Sequence, residues 1–454
     1  MKYDMTKDSP GKSLFYFAVP MVLGNIFQQL YNIIDSIVVG NYVGADALAA
    51  VGSSTSIVML FVMIASGLSL GCSVIISQFF GAGKYGKMKT SISTAALSIL
   101  AISVILMIVG LLFSTQLLLL MQTPGNIFAD ASSYLNIYFY GLPLLFLYNA
   151  MNAVFNGLGK SKVPLCFLLF SSCLNVALDL LFVIRFNMGV AGVAWATMIS
   201  QGVSAAASAL YLIVTIKRMK ISAAGDAGDS FLQKYFSVPI FLTMYKIAIP
   251  SCLQQSIVSI GFLCVQALVN SYGSVVIAGF TAANKIDGIA IVPFVNIGNA
   301  VSTFTAQNIG AKKPERVKQG YHMALKMIIC VGIAVTCLLY LFGPDFVAAF
   351  VDTDTNPGVI AVGVEYLRVV SVFYMVMGIM NSTNGLLRGA GDVRAFVLST
   401  LCNFTTRVAA AYLLALTPLG HSAVWWAIPL GWFVALIISF HRYKTGKWKE
   451  VNVI

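Results

Sequence analysis

Three polar side chains on one face of a mostly apolar segment give the first indication of chemistry in this sequence. Gln28, Asn32 and Asp35 follow i, i+4 and i+7 spacing, so they share one face of a helix. A carboxylate within a membrane-spanning helix is costly and is by default a functional group. It can exchange a proton, or it can bind Na⁺ through its oxygen atoms. The spacing therefore predicts that Asp35 couples to a cation, and the alternative is a structural pairing with a neighbouring amide.

A second acid stands in a comparable setting. Asn175 precedes Asp179 by four residues, which places both on one helix face. If the two carboxyl groups of Asp35 and Asp179 lie close together, they share a proton and titrate as a pair.

Other ionisable residues lie in or near the predicted spans. Lys285 and Asp287 are two residues apart and do not face each other on a helix, so each is expected to have another partner. Arg407 is a candidate partner for Asp287. Glu365 and Arg368, at i and i+3, are expected to pair near the outer end of a span.

Aromatic, amide and basic side chains of the spans are candidate contacts for a substrate. For each aromatic residue, packing in the core is the alternative. The predicted substrate-cavity residues are Gln28, Tyr31, Asn32, Tyr138, Asn152, Lys285, Tyr374, Asn384 and Arg407.

Composition defines the setting in which these residues act. Of 454 residues, 59% are hydrophobic and 10% are charged, whereas soluble domains carry ~25% charged residues. A soluble enzyme, a secreted disulfide scaffold and a disordered chain are thereby excluded. The eight cysteines lie in apolar runs and are interpreted as packing residues. We find no nucleophile–base pair or metal-ligand cluster in the sequence, so no enzyme is predicted. The net charge of +12 is dispersed in short clusters, so no nucleic-acid partner is predicted either.

Twelve apolar runs are long enough to cross a bilayer as helices. Their predicted bounds are 14–40, 47–79, 90–113, 132–156, 163–184, 189–216, 240–269, 275–309, 321–343, 359–387, 395–416 and 422–440. Basic residues concentrate in alternate loops, as in 84–89, 312–318 and the pair Arg388 and Arg394. The positive-inside rule then predicts an inner-membrane protein with both termini in the cytoplasm.

The chain also repeats itself. Gln78-Phe-Phe-Gly-Ala-Gly-Lys84 matches Gln307-Asn-Ile-Gly-Ala-Lys-Lys313, and Ala18-Val-Pro20 matches Ala248-Ile-Pro250, each about 230 residues apart. The predicted organisation is a six-helix bundle (1–216), a cytoplasmic linker (217–239), a second six-helix bundle (240–440) and a cytoplasmic tail (441–454). Because each half holds an even number of spans, the repeat is parallel, with a pseudo-twofold relation and a substrate cavity between the bundles.

The order of these motifs resembles the MATE (multidrug and toxin extrusion) family over essentially the whole chain. The other matching pieces are the Gly40-Asn-Tyr-Val-Gly44 turn and the break Asn156-Gly-Leu-Gly-Lys160, with its partner Arg388-Gly-Ala-Gly-Asp392. The pattern Asn175-x-x-x-Asp179, together with Asp35 in the first span, is similar to the pattern of the DinF-like branch of the family. That resemblance implies a MATE-like fold and a cation-coupling site for H⁺ or Na⁺ at Asp35, Asn175, Asp179 and Thr197, with no other cofactor.

The resemblance implies a secondary active antiporter that exports small organic compounds, mainly lipophilic cations, by alternating access. It is expected to act as a monomer within the lipid bilayer. In the second half, Arg407 stands where the first has Asn175, and Ala411 where it has Asp179, so coupling is expected in the N-terminal half only. A cavity arginine would favour anionic or zwitterionic substrates. One alternative is therefore a flippase for lipid-linked precursors or another anionic solute. A second alternative, of a different class, is a non-transporting receptor or assembly factor, in which no activity would depend on Asp35.

Overall fold

The protein is described by a computed structural model, which covers residues 4–218, 235–350 and 357–451. The predicted linker 217–239 lies largely outside these residues. The α-helices are α1 (Pro10–Val38), α2 (Ala45–Gly81), α3 (Tyr85–Leu120), α4 (Phe128–Gly157), α5 (Lys162–Leu180), α6 (Gly189–Arg218), α7 (Val238–Asn270), α8 (Ser274–Ala290), α9 (Val292–Gly310), α10 (Pro314–Ala348), α11 (Pro357–Ser371), α12 (Tyr374–Ala390), α13 (Val393–Ala415) and α14 (Ser422–Thr445). Short π-helical turns extend α1 (Val39–Val43) and α5 (Leu181–Arg185).

The helices confirm an all-α membrane protein. Among the described residues, eleven helices are long and apolar enough to cross a bilayer, and a bent pair raises the number to twelve if it forms one span. Ser274–Gly310, which contains α8 and α9, corresponds to the predicted eighth span. The bent pair of α11 and α12 corresponds to the predicted tenth span.

The bend in the tenth span was not predicted. Gly358–Ser371 and Tyr374–Ala390 meet at 50°. Helix kinks arise where a side chain takes over a backbone hydrogen bond. Here the Thr336 hydroxyl of α10 donates to the carbonyl oxygen of Ser371 at 2.8 Å. A neighbouring helix thus satisfies a backbone group at the point where the span breaks.

The described chain forms two compact units, one of Leu23–Leu253 and the other of Met1–Val22 with Gln254–Ile454. This division falls inside α1 and α7, and the predicted limits of the two six-helix bundles stay a prediction. In the first unit, α4 packs against α2, α3 and α6, and α5 packs against α6. In the second unit, α9 packs against α12, α8 against α11, and α13 against α14.

The internal repeat reappears in the backbone of two turns. After α2, the amide of Lys84 donates to the carbonyl of Phe79 at 3.0 Å, and Gly83 has φ of 70°. After α9, the amide of Lys313 donates to the carbonyl of Asn308 at 2.8 Å, and Lys312 has φ of 58°. The same helix ending is thus built from a glycine in one half and a lysine in the other.

Arg388 is a correction to the sequence analysis, which placed it in a basic loop. It lies in the last turn of α12 and is 8% exposed. Its guanidinium donates to Ser302 Oγ at 3.2 Å and to Asn299 Oδ1 at 3.0 Å. A buried arginine of this kind contributes to helix packing, so it is not evidence for which side of the membrane the loop faces.

The turn after α12 is held by an ion pair with one buried partner. Asp392 is 5% exposed, and its Oδ2 accepts a hydrogen bond from Arg442 Nε at 2.6 Å. We expect Arg442→Gln to leave the buried carboxylate without its charged partner and to lower the free energy of unfolding by about 1–3 kcal/mol. Thermal unfolding of the purified protein measures this loss. The control is Arg394→Gln, which removes an exposed arginine two residues after Asp392. Equal unfolding temperatures for the two variants would contradict the expectation.

Candidate cation-coupling site

Helix α5 has its polar residues inside and its apolar residues outside. Its buried side chains are Ser171, Asn175 and Asp179, spaced four residues apart on one face. Phe170, by contrast, is 48% exposed. In a bilayer the apolar face contacts lipid at no cost, whereas a carboxylate must face protein or water. The amphipathic pattern of α5 therefore turns Asn175 and Asp179 towards the interior of the first unit.

Asn175 joins α5 to α6 and to α1. Its amide lies 3.2 Å from the Thr197 hydroxyl on α6. Amide oxygen and nitrogen are assigned from their neighbours. The orientation that satisfies these neighbours has Nδ2 donating to Asp179 Oδ2 at 2.9 Å and to the Tyr31 hydroxyl at 3.3 Å, with Oδ1 accepting from Thr197. Three helices thus converge on one amide.

The carboxyl groups of Asp35 and Asp179 lie within hydrogen-bonding reach of each other. Asp179 is fully buried, and Asp35 is half-buried. The Oδ1 atom of each is buried and has no hydrogen-bond partner within the described chain. Two carboxyl groups in such contact need a proton or a metal cation between them, because two bare negative charges would repel. The pair is chemically suited to bind one cation.

Tyrosine side chains surround the pair. Tyr31, on α1, is close enough to both carboxyl groups to be affected by their charge, and so is Tyr134 on α4. Tyr134 and Tyr138 are 8% and 4% exposed. Tyr134 was missed in the sequence, although its i, i+4 spacing from the candidate Tyr138 was a signal that could have identified it.

The four predicted coupling residues Asp35, Asn175, Asp179 and Thr197 thus come together in one unit. Their role as a coupling site stays a prediction. Na⁺ prefers oxygen ligands, and these residues offer carboxylate, amide and hydroxyl oxygens. Within the described residues no group of three or more His, Cys, Asp or Glu side chains could hold a metal ion, so two carboxylates are the whole acidic contribution.

The predicted substrate-cavity residues lie in both units, and that assignment also stays a prediction. In the first unit, Gln28 and Asn32 are exposed, and the buried Oδ1 of Asn152 has no partner among the described groups. In the second unit, Tyr374 and Asn384 are buried. Lys285, another of the predicted cavity residues, is exposed, and its Nζ lies 5.4 Å from the ring centre of Phe350.

The second unit contains a separate polar cluster around Asp287. The Tyr374 hydroxyl donates to Asp287 Oδ1, and Tyr366 is also within hydrogen-bonding reach of this carboxylate. Arg407 is close enough to act on Asp287 electrostatically, as the sequence suggested, but no ion pair within 4 Å joins them in the described chain. The buried Nε of Arg407 has no partner there.

The expected pairing of Glu365 with Arg368 is wrong. Glu365 instead contacts His421, with 3.1 Å between Oε2 and Nε2, and it accepts a hydrogen bond from the Ser422 hydroxyl. A pairing across distant parts of the chain replaces the local i, i+3 pairing that helix geometry allows.

Comparison with known proteins identifies the class. The MatE family profile matches residues 20–181 and 250–413, one segment in each half. The chain therefore belongs to the MATE family of membrane transporters.

Relatives match over nearly their whole length. The probable multidrug resistance protein YpnP of Bacillus subtilis (strain 168) is 30% identical over 451 residues, which cover 99% of this chain and 98% of YpnP. The probable multidrug resistance protein NorM of Thermotoga maritima is 22% identical and covers 98% of this chain and 94% of its own.

Solved structures confirm the MATE-like fold. A transporter of the MOP superfamily from Pyrococcus furiosus Vc1, described as having a binding pocket of reverse polarity, superposes with a TM-score of 0.89 at 25% identity. A crystal structure of MATE in the straight conformation gives a TM-score of 0.87 at 26% identity. Each comparison covers 98% of both chains.

Proposed function

We propose that this protein is a secondary active antiporter that exports small organic compounds, mainly lipophilic cations, in exchange for H⁺ or Na⁺. The contact between the carboxyl groups of Asp35 and Asp179 carries this proposal. The relatives' names favour drug export over a lipid-linked precursor flippase, since they include the multidrug export protein MepA of Staphylococcus aureus, 22% identical over 88% of this chain.

The coupling step follows from the charge of the pair. A cation that enters from outside is bound between Asp35 and Asp179 and neutralises the pair. Neutralisation lowers the cost of moving α1 within the bilayer, because a charged group in hydrocarbon is expensive. Pro20, inside α1, has no backbone N–H to donate, so α1 bends most easily near it. The bend releases the substrate outward, and loss of the cation to the cytoplasm restores the accepting state.

The amide of Asn175 bears on the choice of cation. With its Nδ2 donating to Asp179, a donor rather than an oxygen ligand faces the carboxylate. This arrangement suits a protonated pair. Na⁺ binding requires the amide to turn its oxygen towards the carboxylates, because hard cations bind oxygen. The two candidate coupling ions therefore call for opposite orientations of this amide, with its nitrogen towards Asp179 for H⁺ and its oxygen towards Asp179 for Na⁺.

We also propose a location and an oligomeric state for the protein. The protein acts as a monomer in the cytoplasmic membrane, with both termini in the cytoplasm. The basic residues of alternate loops support this orientation.

The proposal is tested with the purified protein in liposomes. Export of a fluorescent lipophilic cation is measured while H⁺ and Na⁺ gradients are imposed one at a time. We expect one gradient to drive accumulation against the concentration gradient of the dye and the other to have little effect. If neither gradient moves the dye, and an anionic or lipid-linked solute crosses instead, the antiporter proposal is wrong and the flippase alternative replaces it.

A further inference from the structure

A basic pocket of about 620 Å³ lies where α10 begins, within the unit that combines Met1–Val22 with Gln254–Ile454. We call it the N-terminal pocket. Its lining includes Thr6, Lys7, Lys312, Lys313, Glu315 and Arg316. None of these residues belongs to the cation-coupling site described above.

The residues before α1 form a fixed wall of this pocket. The carbonyl oxygen of Met5 accepts hydrogen bonds from Asn308 Nδ2 at 3.1 Å and from Arg316 Nε at 3.2 Å. The carbonyl oxygen of Thr6 accepts from Lys313 Nζ at 2.9 Å, and that of Asp8 accepts from Arg316. Met5 itself is 5% exposed. The segment is therefore tied to the α9–α10 turn by several independent contacts.

The positive charge of the pocket is only partly neutralised. Lys313 and Arg316 donate hydrogen bonds to uncharged carbonyl groups. In the described part of the chain, no carboxylate lies within 4 Å of the charged groups of Lys312, Lys313 or Arg316. The acid in the lining, Glu315, is bound from outside by Lys318 and Lys449, each at 3.1 Å.

Two acids border the pocket and offset part of its positive charge. Asp4 and Asp8 act on Arg316 electrostatically, and Asp4 lies 3.9 Å from Lys7. Partial burial acts to raise the pKa of Asp4, but hydrogen bonds from Thr6 and the charges of Lys7 and Lys313 outweigh it, and the pKa is lowered. The surroundings thus favour negative charge.

We propose that the N-terminal pocket binds a phosphate-bearing anion, with the headgroup of an acidic phospholipid as the preferred source. Clustered lysine and arginine donors match phosphate oxygens in charge and in hydrogen bonding. Basic pockets beside spanning helices on the cytoplasmic side hold anionic headgroups, because that leaflet carries the anionic lipids. The pocket lies beside the start of α1 and α10, at the end of the spans that the basic loops assign to the cytoplasm. Free phosphate offers the same chemistry and is the second source.

The repeat supplies a variant that removes charge with little risk to folding. Lys312 has φ of 58°, a value that costs a lysine energy and a glycine none, and the equivalent turn of the first half has Gly83 at φ 70°. Lys312→Gly therefore deletes a pocket charge while suiting the backbone. Lys7→Gln deletes a second charge. Lys87→Gln, at an exposed lysine in the first turn of α3, is the matched control.

The experiment is native mass spectrometry of the purified full chain, titrated with phosphatidylglycerol or phosphatidylcholine. We expect selective retention of phosphatidylglycerol, about five-fold weaker for each pocket lysine removed and unchanged in Lys87→Gln. Inorganic phosphate is added as a competitor: displacement of the lipid identifies phosphate alone as sufficient, and failure to displace it identifies the lipid headgroup. The proposal would be overturned if the folded variants Lys312→Gly and Lys7→Gln bound phosphatidylglycerol with the wild-type affinity.

Discussion

The Asp35→Asn variant is expected to lose gradient-driven export of the test cation by a factor of ten or more. Asparagine keeps the size of the side chain and its hydrogen bonding to Asp179, but it cannot ionise or release a proton. The pair then keeps one carboxyl group, and its charge cannot cycle between loaded and unloaded states. The measurement is dye export from proteoliposomes under the gradient that drives the wild type.

Two further variants make this expectation specific. Asp130→Asn removes an exposed carboxylate near the start of α4 and should export like the wild type. The double variant Asp35→Asn with Asp179→Asn should be no worse than either single variant, because residues that act as one unit have non-additive effects. Undiminished gradient-driven export by a folded Asp35→Asn protein would show that coupling lies elsewhere, with the Asp287 cluster as the next candidate.

Gly385→Ala is expected to weaken the packing of α12 against α9 and to lower the stability of the protein. Gly385 of α12 lies against α9, and a Cβ atom at this position would stand 2.2 Å from the carbonyl oxygen of Gly298. Helices in membranes use small residues to approach this closely. Because the obstacle is backbone, the two helices must separate, which we expect to cost about 1–3 kcal/mol and to lower the unfolding temperature by about 2–8 °C.

Gly52→Ala is the matched control for that substitution. Gly52 also lies inside a helix, α2, but a Cβ atom there meets nothing within 4 Å. Alanine should be neutral or slightly stabilising at this position, by about 0.5–1 kcal/mol, since it favours helix more than glycine. Thermal unfolding of both purified variants separates the two effects. Similar unfolding temperatures would mean that α9 and α12 are not closely packed in the folded protein.

The sequence predicted most of the fold because a bilayer imposes a strong pattern. Long apolar runs could be identified as spans, and the repeat could be found from short motifs. The break between α11 and α12 could not be predicted, because the hydroxyl group that satisfies its backbone, that of Thr336, belongs to another helix. Arg388 was misplaced for a similar reason, since a basic residue near a predicted loop gives no sign that Ser302 and Asn299 enclose it.

The candidate site was visible because carboxylates are rare in spanning helices. Asp35 and Asp179 stood out against apolar neighbours, and helix spacing added Asn175. Tyr134 did not stand out, since aromatic residues are abundant and usually pack. The contact between Glu365 and His421 joins residues far apart in sequence, and no local spacing rule identifies such a pair.

The polar side chains that α5 turns inward have a consequence for the insertion of the chain into the membrane. A nascent chain enters the bilayer one segment at a time, so Asp179 on α5 enters after its partner Asp35 on α1 but before Thr197 on α6. Such a residue costs about 2.5–3.5 kcal/mol at insertion, which the surrounding leucine and phenylalanine side chains offset. Thr197 reaches Asn175 only when α6 has followed. A chain that stops between the two helices therefore holds both carboxyl groups but lacks the hydroxyl that contacts Asn175.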